Sequence, residues 1–316
     1  MAASRQRGAL IAVLLGFFIV MLDTTIVNVA LADIGTDLDA PMASLQWVVD
    51  SYTLVFAAFL LTSGAACDRL GARDVYLLGL LLFGVLSVVC ALAPTGGTLV
   101  AARAAQGAGA SAVVPGSLAL LAVIYTEPDA RSRAIGLWGG AGGIAAAVGP
   151  VLGGVLVSWI GWRAVFWVNI PIIAVACRLT LRSLPAPAAR HGRAIDPLGQ
   201  LLSVLGLAAL TYGMIAGGES GLSNSSAAAI CCGAAVLAGL VVVEHHVDDP
   251  MLPKPLFRRA RFTVSAPVGL ALNISFFGQL FVLSLFFQRF FQSYLGYAPW
   301  LAGLALAPQA CSAVIA

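Results

Sequence analysis

Apolar residues run along this chain in long unbroken blocks, with polar positions gathered between them. Nine blocks are long enough to read as membrane-crossing helices: residues 10–31, 45–66, 75–94, 98–120, 135–158, 162–181, 198–215, 226–244 and 264–288. Such a helix needs about 20 mostly apolar residues. A tenth block opens near Leu301 and runs to the last residue. None shows the period-two alternation of a barrel strand, and all are longer than one. In oil every backbone amide must be paired within its own segment, so the pattern predicts an all-α membrane protein.

Composition agrees. Hydrophobic residues make up 60% of the 316 and charged residues 10%. A soluble domain is usually about a quarter charged. No water-soluble core hides that much apolar surface. Arg5 and Arg7 ahead of an apolar run, with Ala30-Leu31-Ala32 after it, resemble a cleaved leader. Asp23, Thr24, Thr25 and Asn28 lie between them, where a leader is bland, so the block reads as a retained first span.

Basic residues set the orientation. With the N-terminus in the cytoplasm, 14 of the 17 Lys and Arg fall on inner segments, from Arg5 and Arg7 to Lys254 and Arg261. The first outer loop instead carries Asp33, Asp37 and Asp39. The net charge of +3 therefore reports topology and not nucleic-acid binding. Heavy use of Ala, Gly, Val and Arg fits a GC-rich bacterial genome, hence a bacterial cytoplasmic membrane. The six cysteines form no CxxC pair and read as small apolar residues.

Loop lengths divide the chain. Residues 1–181 form six closely joined spans, 182–197 a basic Pro- and Ala-rich cytoplasmic linker, and 198–244 an isolated pair of spans. Residues 245–263 form a further cytoplasmic loop, and 264–316 begin another bundle that is incomplete here. In Asp196-Pro197, the Asp is a helix cap and the Pro a first helical residue.

Three ionisable residues fall inside spans, where a charge costs at least about 2.5–3.5 kcal/mol and marks function by default. Asp23 lies in "MLDTTIVNVAL", Asp50 in "QWVVDSYTL" and Arg103 in "LVAARAAQGAGA". A carboxyl in a low dielectric takes up a proton more readily than in water, so Asp23 is a candidate to carry one. Asp50 has two readings, a coupling acid or a side chain that reaches outer water. Arg103 keeps its proton, so it needs a carboxylate or carbonyls beside it. Trp47, Tyr52 and Phe56 are aromatics that can stack on a lipophilic cation, with an interfacial belt as the plainer reading for Trp47. "EHH" (244–246) reads as a solvated loop end and not a metal site. No HExxH, P-loop or GxSxG is present, which argues against an enzyme.

Several segments now resemble, in order, the drug:proton antiporters of the major facilitator superfamily, the group with fourteen spans. "LDTTIVNVAL" (22–31) is similar to their first-span signature, with Ala32 where Pro is usual. "GAACDRLGAR" (64–73) resembles the loop motif after span two through Gly64, Asp68, Arg69, Gly71 and Arg73, with Ala66 and Ala72 as departures. "RAAQGAGA" (103–110) fits the fourth-span motif through Arg103, Gln106, Gly107 and Gly109. "GPVLGG" (149–154) fits the fifth-span antiporter motif through Gly149, Pro150, Gly153 and Gly154, with Ala145 where Gly often stands. "WRAVFWVNIP" (162–171) resembles the start of span six, and 286–308 the start of the second bundle.

The resemblance implies a monomeric major facilitator type helical bundle cut short at its C-terminus, with about four spans absent, that exports drugs by alternating access. It implies that the proton gradient drives the cycle, that no cofactor or metal is needed, and that the partners are a small-molecule substrate and the lipid bilayer. Asp23, Asp50 and Arg103 would couple protons to transport. The 64–73 loop would act as a conformational latch, with Gly64 at a tight approach and Gly71 at a sharp turn. The fifth-span motif would form a hinge facing the other bundle, whereas tight packing of small residues accounts for its glycines without any hinge. An inactive fragment and an uptake carrier of the same fold are the alternatives.

Overall fold

The computed structural model describes residues 3–184, 197–221, 223–247 and scattered positions from 263 to 282. These residues are helical and include no strand. The helices are α1 (Ala3–Asp37), α2 (Met42–Leu70), α3 (Ala72–Ala91), α4 (Gly96–Ile124), α5 (Pro128–Trp159), α6 (Ala164–Trp167), α7 (Asn169–Ser183), α8 (Pro197–Ser220) and α9 (Asn224–His246). Counting Ala164–Ser183 as one, eight are long and apolar enough to cross a membrane. They match the first eight expected spans. The expected 264–288 span and the bundle it opens lie largely outside the described residues, as do Cys311 and most of both cytoplasmic connections.

Most helices outrun their apolar blocks. α1 has 35 residues. At 1.5 Å per residue it measures about 52 Å, against a hydrocarbon core of about 30 Å. Hydropathy marks only the oily part of a helix, whereas capping chemistry decides where it ends. Thr95 and Thr98 form a reciprocal capping box at the start of α4, and Ser223 and Ser226 do the same for α9. Glu127 caps α5, accepting from the backbone N–H of Ala130 at 2.7 Å and of Asp129 at 3.1 Å. Those two bonds hold its carboxyl below the ordinary glutamate range. Pro197 opens α8 as expected, with Asp196 outside the described residues.

One expected span is interrupted at a single residue that keeps helical backbone angles. The block at 162–181 divides into α6 and α7 at Val168. Pro171 has no N–H for the carbonyl four residues earlier, at Trp167, so the helical ladder is interrupted there. Gly71 joins α2 to α3 with φ +95°, a left-handed turn that suits glycine, as its place in the loop motif implied.

Glycines set which helices touch. On α5, a Cβ at Gly142 would strike Phe17, and one at Gly153 would come within 2.9 Å of Ile26 Cγ1 and 3.0 Å of the Ile26 carbonyl oxygen. Gly149 sits against Thr25 in the same way, and Ala145 and Gly154 are buried too. The face carrying Gly142, Gly149 and Gly153 is therefore turned to α1 of its own bundle, so packing against α1 accounts for these glycines. Close backbone approach is what draws membrane helices together where no hydrophobic force acts between them. On α4, Gly107 lies on the backbone of Tyr52 in α2, and Gly109 on that of Phe83 in α3. No described atom lies within 4 Å of a Cβ built at Gly64.

Two sets of ties mark the ends of the bundle. On the N-terminal side, Gln6 Nε2 donates to the Ile124 carbonyl at 3.5 Å and Gly8 abuts Ser183. On that side Arg131 caps the last carbonyls of α4, donating to Tyr125 at 2.9 Å and Ala122 at 3.2 Å. On the opposite side Asp37 accepts from Arg163 at 2.6 Å and from the Trp162 indole at 2.9 Å. The α8–α9 hairpin meets the bundle where α8 lies along α2. There Gln200 Nε2 donates to the Ala58 carbonyl at 3.1 Å, and Thr62 Oγ1 donates to Gln200 Oε1.

Two outcomes follow from this packing. Gly153→Val is expected to cost about 1–3 kcal/mol by forcing α5 off α1, read as a lower thermal midpoint in detergent. Gln200→Leu removes two polar ties of the hairpin to α2. Paired cysteines placed across α2 and α8 are then expected to cross-link less efficiently, while α1–α5 cross-linking stays unchanged.

Candidate functional site

The largest fully buried side chain among the described residues is an arginine. Arg103 is 1% exposed and lies on α4, with Gln106 one turn on along the same face. Its Nη1 donates to Asp23 Oδ2 on α1 and, at 2.7 Å, to Gln106 Oε1. Its Nε donates to the Val48 carbonyl on α2 at 3.1 Å. The guanidinium lies over the Tyr52 ring at 4.2 Å and 5.9 Å from that of Phe166. A cation that cannot shed its proton is thus matched by a carboxylate, two neutral oxygens and two aromatic faces.

Asp23 is wholly buried. Besides Arg103 it accepts from Asn169 Nδ2 on α7 at 2.9 Å and from Gln106 Nε2 at 3.4 Å. All its partners are donors, which is the complement of an ionised carboxylate. Ser87 on α3 completes the cluster. Its hydroxyl accepts from Gln106 at 2.8 Å and Asn169 at 3.1 Å, and donates to the Phe83 carbonyl at 2.8 Å. Cys90 also reaches Gln106 Oε1, at 3.6 Å. Six helical elements, α1 to α4 with α6 and α7, converge on this one knot.

The residues singled out in the sequence divide around it. Asp23, Arg103 and Gln106 are brought together, and Gly107 and Gly109 let α4 approach close enough for Arg103 to reach both α1 and α2. Asp50 is half-buried and has no hydrogen bond to the knot. It lies in the N-terminal half of α2, two residues after the Val48 carbonyl that Arg103 uses. Asp68 and Arg69 are exposed at the end of α2, and Arg73 is half-buried with its Nε unpaired among the described residues. Pro150 is half-buried beside the glycines that meet α1. Tyr52, one of the aromatics that can stack on a lipophilic cation, has Arg103 over its ring at 4.2 Å, and Phe56 stacks with it at 6.3 Å. His245 and His246 direct Nδ1 to carbonyls of their own helix, at 2.7 Å and 2.8 Å.

Ser87 and Asn169 escaped the sequence reading. Neither is charged, and each looks like an ordinary polar residue in an apolar block. The available signal was the "NIP" of 169–171, an amide placed just where proline interrupts the helix.

Removing one member of a buried ion pair strands the other. Arg103→Leu is therefore expected to cost about 3–5 kcal/mol of stability, read as a fall in the thermal midpoint in detergent. Combining it with Asp23→Asn is expected to restore more than half of that loss.

Known proteins place this geometry. The family description "Major Facilitator Superfamily" matches residues 13–316. The chain is 40% identical over 294 residues to the "Methylenomycin A resistance protein" of Streptomyces coelicolor, covering 93% of this chain and 61% of that one. It is 38% identical to the Bacillus subtilis protein of the same name, covering 99% and 66%. It is 36% identical to the "Multidrug resistance protein Stp" of Mycobacterium tuberculosis, covering 98% and 57%. The chain thus spans roughly three fifths of the length of these curated relatives. Among solved structures, the human organic anion transporter MFSD10 superposes with a TM-score of 0.58 at 17% identity, covering 98% of this chain and 72% of that one. A bacterial homologue of the lysosomal transporter Spinster, in an inward-facing and unoccupied conformation, gives 0.54 at 19% identity, covering 99% and 75%. The helical bundle, the motifs along it and these matches agree: the chain belongs to the Major Facilitator Superfamily.

Proposed function

We propose that this chain forms the N-terminal part of a drug exporter that exchanges protons for lipophilic, often cationic, drugs or antibiotics. The observation that carries the reading is the Asp23–Arg103 pair, sealed inside the apolar bundle and bridging α1 to α4. A buried charge pair is a poor way to gain stability, because desolvation offsets most of the attraction. Its use lies in having two states. Protonating Asp23 removes the negative charge and frees Arg103 to its neutral partners, Gln106 Oε1, the Val48 carbonyl and the Tyr52 ring. The tie between α1 and α4 then loosens, so proton arrival changes which helix arrangement is favoured. The relatives named for resistance to methylenomycin A and to multiple drugs support export as the direction.

In this reading α1 to α7 are the first six-span bundle, α8 and α9 the accessory pair of a fourteen-span protein, and residues from 264 onward the opening of the second bundle. The N-terminus lies in the cytoplasm, which puts Arg5, Arg7, Arg131, Arg178 and Arg182 on the inner side. Asp68, Arg69 and Arg73 then sit at the inner end of α2, placed to latch against the second bundle in one conformation. Asp50 on the outer half of α2 is a second acid through which a proton or a cationic drug can enter. No cofactor or metal takes part, and the protein acts as a monomer.

The test replaces Asp23 with Asn in the complete gene product and follows ethidium efflux under an imposed pH gradient. Gradient-driven efflux is expected to fall at least about tenfold, the scale of one lost charge-assisted hydrogen bond, while ethidium binding at fixed pH persists. Efflux equal to the unaltered protein's removes Asp23 from the coupling.

A further inference from the structure

Asn169 carries the one amide of the buried knot whose two ends are treated differently. Its Nδ2 donates to Asp23 Oδ1 at 2.9 Å and to Ser87 Oγ at 3.1 Å. Its Oδ1 is buried and has no hydrogen-bond partner among the described residues, although the residue is completely enclosed. Buried acceptors are nearly always paired, and one left alone calls for a physical reason.

The reason lies in what Asp23 becomes when it gains a proton. The site as built suits the carboxylate, because Arg103, Gln106 and Asn169 all donate to it. Protonated Asp23 is a donor and needs an acceptor. The acceptors already there are occupied: Gln106 Oε1 takes Arg103 and Cys90, and Ser87 Oγ takes two donors. The Tyr52 hydroxyl is also unpaired among the described residues, but Asn169 Oδ1 belongs to the amide already bonded to Asp23 and has unused capacity there. Turning the amide by half a rotation exchanges Nδ2 for Oδ1 at the position 2.9 Å from Asp23 Oδ1. The same turn sets Oδ1 against Ser87 Oγ, so the Ser87 hydroxyl has to swing its proton from the Phe83 carbonyl to the amide. The charge on Asp23 then decides which end faces it.

We infer that Asn169 is a positioning residue that serves both protonation states of Asp23, donating to the carboxylate and accepting from the carboxylic acid. The titratable and charged groups facing this knot are Asp23 from α1, Tyr52 from α2, Cys90 from α3 and Arg103 from α4. The charges of α5 lie in its first turns, at Asp129, Arg131 and Arg133, and those of α7 at Arg178 and Arg182 toward its last turns. None of the other facing groups is a carboxylate, so Asp23 is the group whose charge turns the amide. Asn169 is the first residue of α7, directly after the interruption at Val168, and its amide lies against both Asp23 and Ser87. The inference rests on the reading of Asp23 as the proton site.

The experiment measures the complete protein in proteoliposomes by infrared spectroscopy across a pH titration, with ethidium efflux followed in parallel. The C=O band of protonated Asp23 is identified by its disappearance in Asp23→Asn. In Asn169→Leu and in Asn169→Ala that band is expected to move to higher frequency, because the acid has lost its acceptor. Gradient-driven efflux is expected to fall about tenfold or more, as for a lost hydrogen bond to a charged group, with ethidium binding at fixed pH unchanged. Asn169→Ser, whose hydroxyl can also donate or accept, is expected to recover most of the efflux. An unmoved Asp23 band with an unaltered pH profile in the Leu and Ala variants overturns the role of Asn169. If no band disappears in Asp23→Asn and its efflux is unaltered, the reading of Asp23 itself fails instead.

Discussion

One guanidinium cannot be left alone in oil, and the bundle is arranged around that fact. Arg103 keeps its charge in any surroundings a protein offers. With 1% of its surface exposed, every compensating group has to come from the protein. Asp23, Gln106, the Val48 carbonyl and the Tyr52 ring arrive from three different helices. Each can reach the guanidinium only if α1, α2 and α4 pack closely, which is why small residues recur where those helices meet.

The apolar and polar layers of the structure therefore depend on each other. Gly107 brings α4 down onto the Tyr52 backbone, and that approach sets the ring beneath Arg103. Gly109 brings α3 in on the other side, which delivers Ser87 to Gln106 and Asn169. Gly149 and Gly153 fasten α5 to the stretch of α1 that directly follows Asp23. In water such contacts would be a minor adjustment to a hydrophobic core. In lipid they are the main attraction between helices, so their loss displaces the ion pair as well.

The accessory hairpin is joined differently. Its own two helices interlock through Gly206, Gly213 and Gly233, while its hold on the bundle includes the single side chain of Gln200 on α2. A few polar bonds in a low dielectric can fix where two helices meet without fixing their whole interface. The bundle is thus held by several close helix approaches, and Gln200 ties the hairpin to α2.

The sequence by itself determined the all-α membrane class, the first eight spans and the clustering of Arg5, Arg7, Arg69, Arg73, Arg131 and Arg133 in loops and at span ends. Those features follow from one-dimensional patterns: apolar blocks of fixed length and loop charges. It also marked Asp23 and Arg103, because a charge in an apolar block is conspicuous wherever its partner lies. Only the tertiary structure decided that these two residues, 80 positions apart, form one pair. It likewise decided that the glycine stripe of α5 meets α1, that Asp50 stands outside the knot, and that Ser87 and Asn169 stand within it. Neutral polar residues carry no signature of burial, and a small-residue stripe carries no record of which helix it faces. Both are settled by the rotation of each helix about its axis, a quantity fixed only when all the neighbours are packed together.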